Sequence, residues 1–181
     1  MARAKADEQG RLNHLPRTEQ ERVWESIGQS ALRYFMLRVD PKKRMVFNPE
    51  ESIDFQGDTG PFIQYIHARC ASLLRNAEGM QLHPAAVKTL DYVPDEMELN
   101  IIRKMQEFPT AIHQAAKEYS PSIIAHFVYE LASAYSAFYH GHPVLAESQQ
   151  NARQFRLSLT RAVQLHLNRA LHLLGMEAVQ Q

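Results

Sequence analysis

Apolar residues recur along this chain every three to four positions, and no alternating apolar–polar run persists. That period is helical, so the pattern predicts an all-α bundle. Val23, Trp24, Ile27, Ala31, Tyr34 and Phe35 make the first stripe, after a Thr18-x-x-Glu21 spacing that suits a capping box. Pro41 disfavours helix at Asp40, so this helix ends near Val39. Residues 40–57 read as a polar loop, with Met45-Val46-Phe47 as a short extended piece. The next helix runs from about Gly60 to Asn76, capped by Asp58 or Thr59, with Pro61 in its first turn and Gly79 as its stop. Ile63, Ile66, Cys70 and Leu73 are its buried face, and residues 79–94 are a connection. From Asp95 a long helix carries Met97, Ile101, Ile102, Met105, Phe108, Ile112 and Ala116 on one side; Pro109 predicts a kink or a split. Ser120-Pro121 opens a helix whose buried side is Ile124, Phe127, Val128, Leu131, Tyr135 and Phe138, ended by Gly141 and Pro143. The last helix starts near Ser148, buries Phe155, Leu159, Val163, Leu167, Leu171 and Leu174, and stops at Gly175. The fold class is therefore an all-α helical bundle with a short irregular loop or strand appendage on its N-terminal side. Residues 1–17 are polar and read as a disordered leader.

A chain of 181 residues with 45% hydrophobic content is large enough to bury one good core. No apolar run is long enough to span a bilayer, and the N-terminus has no apolar signal core, so no membrane partner is expected. The single cysteine forbids an internal disulfide; on its apolar stripe Cys70 reads as a core residue, and a reducing cytoplasm is the simplest home. Net charge is zero, which argues against indiscriminate binding to nucleic acid. Its distribution is less even. Residues 1–46 hold ten Lys/Arg against six Asp/Glu, residues 47–147 six against thirteen, and residues 148–181 four against one. If both ends pack on one side, a basic strip faces phosphates. Charge alone favours plain solvated helix faces, since clustering in sequence need not mean clustering in space.

The most informative stretch is Gly57-Asp58-Thr59-Gly60-Pro61-Phe62-Ile63-Gln64-Tyr65-Ile66-His67-Ala68-Arg69. Beside its apolar stripe, Phe62, Tyr65 and Arg69 share a second helix face. Two flat rings and a planar cation there form a surface on which unstacked bases lie. The plainer alternative is that both rings belong to the core and Arg69 to a surface ion pair. Other chemistry is weakly supported. His140-Gly141-His142 with His126 upstream suggests a metal site, but histidines flanking a helix-ending glycine more often mark the turn, and no ligand partner sits at suitable spacing; no metal is expected. No nucleophile has an obvious base, so no catalytic residue is assigned.

The same stretch resembles the Gly-Asp-Thr-Gly-Pro-(Tyr/Phe)-(Leu/Ile)-Gln-Tyr-x-His-Ala-Arg segment of bacterial-type arginyl-tRNA synthetases, where it opens the C-terminal helical, DALR-type anticodon-binding domain. Ala31-Leu32-Arg33-Tyr34-Phe35 and Asn48 to Phe55 are similar to the family's preceding segment; Arg156 to Val163 and Leu171 to Met176 are similar to its closing helix. The resemblance implies three parts: a leader over 1–17, a helix and loop over 18–57 leading from a catalytic domain, and the anticodon-binding domain of a class I synthetase over 58–181. By this resemblance Phe62, Tyr65, Arg69 and Tyr139 meet anticodon bases. Lys42, Lys43, Arg44, Arg156 and Arg161 are candidates for phosphate contacts. The implied partner is arginine tRNA, bound by a monomer, with no DNA. Neither the His-Ile-Gly-His-type nor the Lys-Met-Ser-Lys-Ser-type motif of the catalytic domain is present, so no cofactor is expected here; ATP and magnesium belong to that domain, which activates arginine and transfers it to tRNA. The family commonly ends Leu-Leu-Gly-Ile-x-x-Pro-x-x-Met, and its last methionine helps wall the anticodon pocket; this sequence reads Leu-Leu-Gly-Met-Glu-Ala-Val-Gln-Gln, so that methionine is either absent or falls one position beyond Gln181. The alternative is a helical module whose Phe62–Tyr65–Arg69 face docks a partner protein.

Overall fold

A computed structural model describes residues 16–46, 48–84 and 91–179. Six helices make up the described chain: α1 (Arg17–Leu37), α2 (Pro49–Ser52), α3 (Gly60–Gly79), α4 (Glu96–Glu118), α5 (Ser122–Gly141) and α6 (Gln150–Leu173). No strand occurs among the described residues. Helices α4 and α5 form an antiparallel hairpin, α6 packs on both and on α3, and α1 lies against α3.

The first helix starts one residue before the expected box. The Pro16 carbonyl accepts from the Glu19 and Gln20 amides, and no side chain caps the end, so Thr18 lies inside the first turn. Trp24, Ile27, Ala31, Tyr34 and Phe35 are buried as their spacing predicts. In the following loop Met45 and Val46 carry no regular secondary structure, and the short α2 follows the expected extended piece. Asn48 caps it by accepting from the amides of Glu50 (3.1 Å) and Glu51 (3.4 Å), with Pro49 at N1. Phe47 lies outside the described residues, as do residues 1–15 of the expected leader.

Thr59, not Asp58, caps α3: its Oγ1 accepts from the Phe62 amide at 3.2 Å. Asp58 instead faces α1, where its carboxylate meets the Tyr34 hydroxyl and its carbonyl accepts from Arg38 at 2.6 Å. Burial drives the Tyr34 phenol well above its ordinary pKa, with the Asp58 carboxylate adding to the effect. Close approach of α1 to α3 requires Gly60, because a Cβ there would sit 2.6 Å from the Ser30 carbonyl oxygen. α3 runs past Asn76 and ends at Gly79, but Gly79 is not its left-handed closing residue. The left-handed residue is Gln81, and the Leu82 amide reaches back to the Ala77 carbonyl (2.8 Å) in a Schellman closure that seats Leu82 on the core.

Asp95 and Glu98 form a complete capping box at the start of α4. Pro109 neither splits nor ends this helix; it lies on the exposed side, where the missing amide deprives only Met105's carbonyl of a partner. The expected apolar face of α4 is only partly used. Ile101 and Phe108 are buried, but Met97, Ile112 and Ala116 are exposed, and Glu98 takes the buried place beside Ile101. At α5, Pro121 already has helical dihedrals, and the Ser120 hydroxyl meets that of Ser122 (2.8 Å) rather than a free amide. Every apolar position predicted for α5 and α6 is buried, and Gly175 ends the last turn in the left-handed region. Cys70 is fully buried, and desolvation pushes its thiol up to about 12, so it is an inert core group.

Candidate nucleic-acid interface

Tyr65 and Arg69 are one helical turn apart on α3, and Tyr139 lies near the end of α5. The fold brings the three together. The Arg69 guanidinium carbon lies 4.5 Å from the Tyr65 ring centre and 4.7 Å from that of Tyr139, so the cation rests against two aromatic rings. Arg69 also donates to the Tyr65 hydroxyl. Its Nη1 is buried and has no hydrogen-bond partner among the described residues. Tyr139 is braced from below by Tyr135, with ring centres 6.3 Å apart. All three residues are half-buried, and Tyr65 and Tyr139 pack against the core.

Phe62 takes a different place. It too is half-buried, but its ring meets Tyr129 of α5 edge-on at 6.0 Å rather than joining the Arg69 stack. Sequence reasoning missed Tyr129, because the contact is made between helices and no spacing within one helix encodes it.

The basic candidates divide. Lys42, Lys43 and Arg44 are exposed on the loop after α1, and Arg161 is exposed on α6 with a local bond to Gln164 (3.0 Å). Arg156 is a correction. It is 8% exposed, and its guanidinium is engaged inside the molecule. Its Nε donates to Glu98 Oε1 (2.8 Å), and its Nη1 to Glu147 Oε2 (2.6 Å) and to the Pro143 carbonyl (2.9 Å). Two carboxylates already neutralise it, and it offers nothing to a phosphate. Arg156 and Arg161 therefore do not share a face: five residues is not a whole number of turns.

The histidines near the end of α5 have local partners. His142 Nε2 lies 2.6 Å from Asp95 Oδ2 while its ring stacks on Phe138 at 5.0 Å, and His140 Nδ1 lies 2.7 Å from the Ser136 carbonyl. Among the described residues no three His, Cys, Asp or Glu side chains converge. None of the helices among them is long and apolar enough to cross a membrane.

Residues 63–181 match the family described as DALR anticodon binding domain. The chain belongs to this family. Two curated relatives of this DALR domain are arginine–tRNA ligases, from Porphyromonas gingivalis (40% identical over 172 residues, 95% of this chain) and Parabacteroides distasonis (37% over 180 residues, 99%). The chain spans 29% and 30% of their lengths. Among solved structures, the arginyl-tRNA synthetase of Thermus thermophilus superposes with a TM-score of 0.85 at 30% identity, over 99% of this chain and 30% of that one. That of Plasmodium falciparum superposes with a TM-score of 0.79 at 20% identity, over 99% and 31%, and speaks for the fold alone. The DALR domain accounts for the helical architecture, and the Tyr65–Arg69–Tyr139 cluster lies within the matched region.

Proposed function

We propose that this domain binds the anticodon stem-loop of an arginine tRNA, with Tyr65, Arg69 and Tyr139 receiving unstacked bases and Phe62 bordering them. The observation that carries the reading is the arginine held against two tyrosine rings contributed by separate helices. Loop bases offer π-faces to such rings and acceptor atoms to a guanidinium. The exposed Lys42, Lys43, Arg44 and Arg161 are the candidates for phosphate contacts. In a longer protein carrying a catalytic domain, this contact holds the tRNA while arginine is activated with ATP and magnesium and transferred at a distant site; the domain itself catalyses nothing.

A gel-shift titration tests this with arginine tRNA, a non-cognate tRNA and duplex DNA over a range of salt. Arginine tRNA should bind tightest and weaken as salt rises. Tyr65→Ala should remove about 1–3 kcal/mol of binding while the helical circular dichroism is retained. Equal affinity for all three nucleic acids, or none for any, would sink the proposal and leave protein docking as the role of this face.

A further inference from the structure

The spacing of His140 and His142 suggests one metal site, but the fold sends the two rings different ways. His142 turns inward, where its Nε2 meets Asp95 and its ring face meets Phe138. His140 stays exposed on the last turn of α5. Its ring stands beside Tyr139, with centres 6.2 Å apart and planes at 88°. His140 is therefore a neighbour of the Tyr65–Arg69–Tyr139 cluster without being one of its layers.

One hydrogen bond sets what this ring can do. His140 Nδ1 lies 2.7 Å from the Ser136 carbonyl, one turn back along α5. A carbonyl only accepts, so Nδ1 carries the proton. The neutral ring then holds a lone pair on Nε2, which makes no hydrogen bond among the described residues. The two nitrogens of an imidazole point nearly opposite ways. With Nδ1 turned back to the backbone, Nε2 faces out from the helix. Ser136, Ala137 and Gly141 are its neighbours on the helix surface, and none is tall enough to screen it.

Orientation decides what kind of contact follows. A ring at 88° to Tyr139 does not lie parallel to a base stacked there, so it adds a wall and not another layer. A wall meets the edge of a base, and the edges carry the hydrogen-bonding groups. A bare lone pair needs a donor. The exocyclic amino groups of cytosine, adenine and guanine project beyond the ring and suit a single acceptor. The ring N–H of uracil lies between two carbonyl oxygens, whose lone pairs oppose that of Nε2. We infer that His140 is a specificity-determining residue of the RNA site: its Nε2 accepts a hydrogen bond from the exocyclic amino group of a loop base stacked against Tyr139. The inference rests on the RNA reading above, which needs the cluster but not this bond.

The test titrates the unaltered chain, His140→Phe and His140→Gln with the anticodon stem-loop of an arginine tRNA. Phenylalanine keeps a flat ring and removes the acceptor. It should weaken binding about tenfold, the loss of one hydrogen bond, with the helical circular dichroism unchanged because the residue is exposed. Glutamine can place its amide oxygen near the position of Nε2 and should restore most of the affinity. The same titrations with stem-loops in which each amino-bearing loop base is replaced in turn (uracil for cytosine, hypoxanthine for adenine or guanine) identify the donor. One replacement should cost the unaltered chain about tenfold and His140→Phe nothing. Full affinity in His140→Phe, or equal losses in both proteins at every replacement, would overturn the inference and leave the anticodon reading intact. An unaltered chain that ignores the arginine stem-loop would overturn that reading itself.

Discussion

Arg161 and Arg156 lie on the same helix, one in water and one spanning two carboxylates. Removing a partner from a buried ion pair strands the other charge, so Arg156→Leu should destabilise the fold by about 3–5 kcal/mol through the abandoned Glu98. Arg161→Ala should stay within about 0.5 kcal/mol. Denaturant midpoints of the two variants decide this, and equal midpoints would mean that the Glu98–Arg156 contact contributes nothing. His67 makes a pH-dependent prediction. Burial lowers its pKa, so the folded state favours the neutral ring that donates to Val179. The unfolded chain then binds the proton more readily, and stability is complete above the unfolded value of about 6.5 and falls as pH drops below it. Thermal melts between pH 7.5 and 5 should show a steeper decline for the unaltered chain than for His67→Asn. Parallel declines would remove His67 as the source.

At the level of elements, helix ends were the hardest features to read. Apolar periodicity located the inward faces of α1, α3, α5 and α6, since a stripe of Leu, Ile and Phe is driven inward wherever its neighbours lie. Caps depend on one or two hydrogen bonds, and several sequences compete for each. Thus Pro16 displaced Thr18, and Gln81 rather than Gly79 took the left-handed residue. Tyr119 shows the same conflict at the end of α4. It adopts φ 53°, a conformation that favours glycine, while its side chain is 87% exposed and forfeits little packing. Tyr119→Gly should therefore raise the stability by about 0.5–1 kcal/mol, read as a higher melting temperature. A lower one would show that the ring makes contacts worth more than the strain. The amphipathic pattern of α4 overstated its burial because, among the described residues, α4 packs mainly on α5 and α6, which leaves Met97, Ile112 and Ala116 in water.

For the molecule as a whole, the zero net charge conceals an arrangement rather than an absence of charge. Replacing Lys42, Lys43 and Arg44 together by alanine should leave the melting temperature unchanged, since all three are exposed. If each meets a phosphate, the same change should flatten the salt dependence of tRNA binding by about 2–3 in slope. An unaltered slope would place this loop away from the RNA. The helical class, the core stripes of α1, α3, α5 and α6, a cap at Asp58 or Thr59 and the membership of Phe62, Tyr65 and Arg69 in one helix were legible in the sequence. They depend on residues a few positions apart, whose geometry the helix itself dictates. Only the tertiary structure decided that Tyr139 comes to the other side of Arg69, that Phe62 turns to Tyr129, that Arg156 points inward to Glu98, and that the strip after Gly175 is gripped by Gln64 and His67. Each of these joins residues from different helices or from distant parts of the chain. A helical period states which face is apolar but carries no record of which partner that face will meet, and that choice is made by the packing of all the helices together.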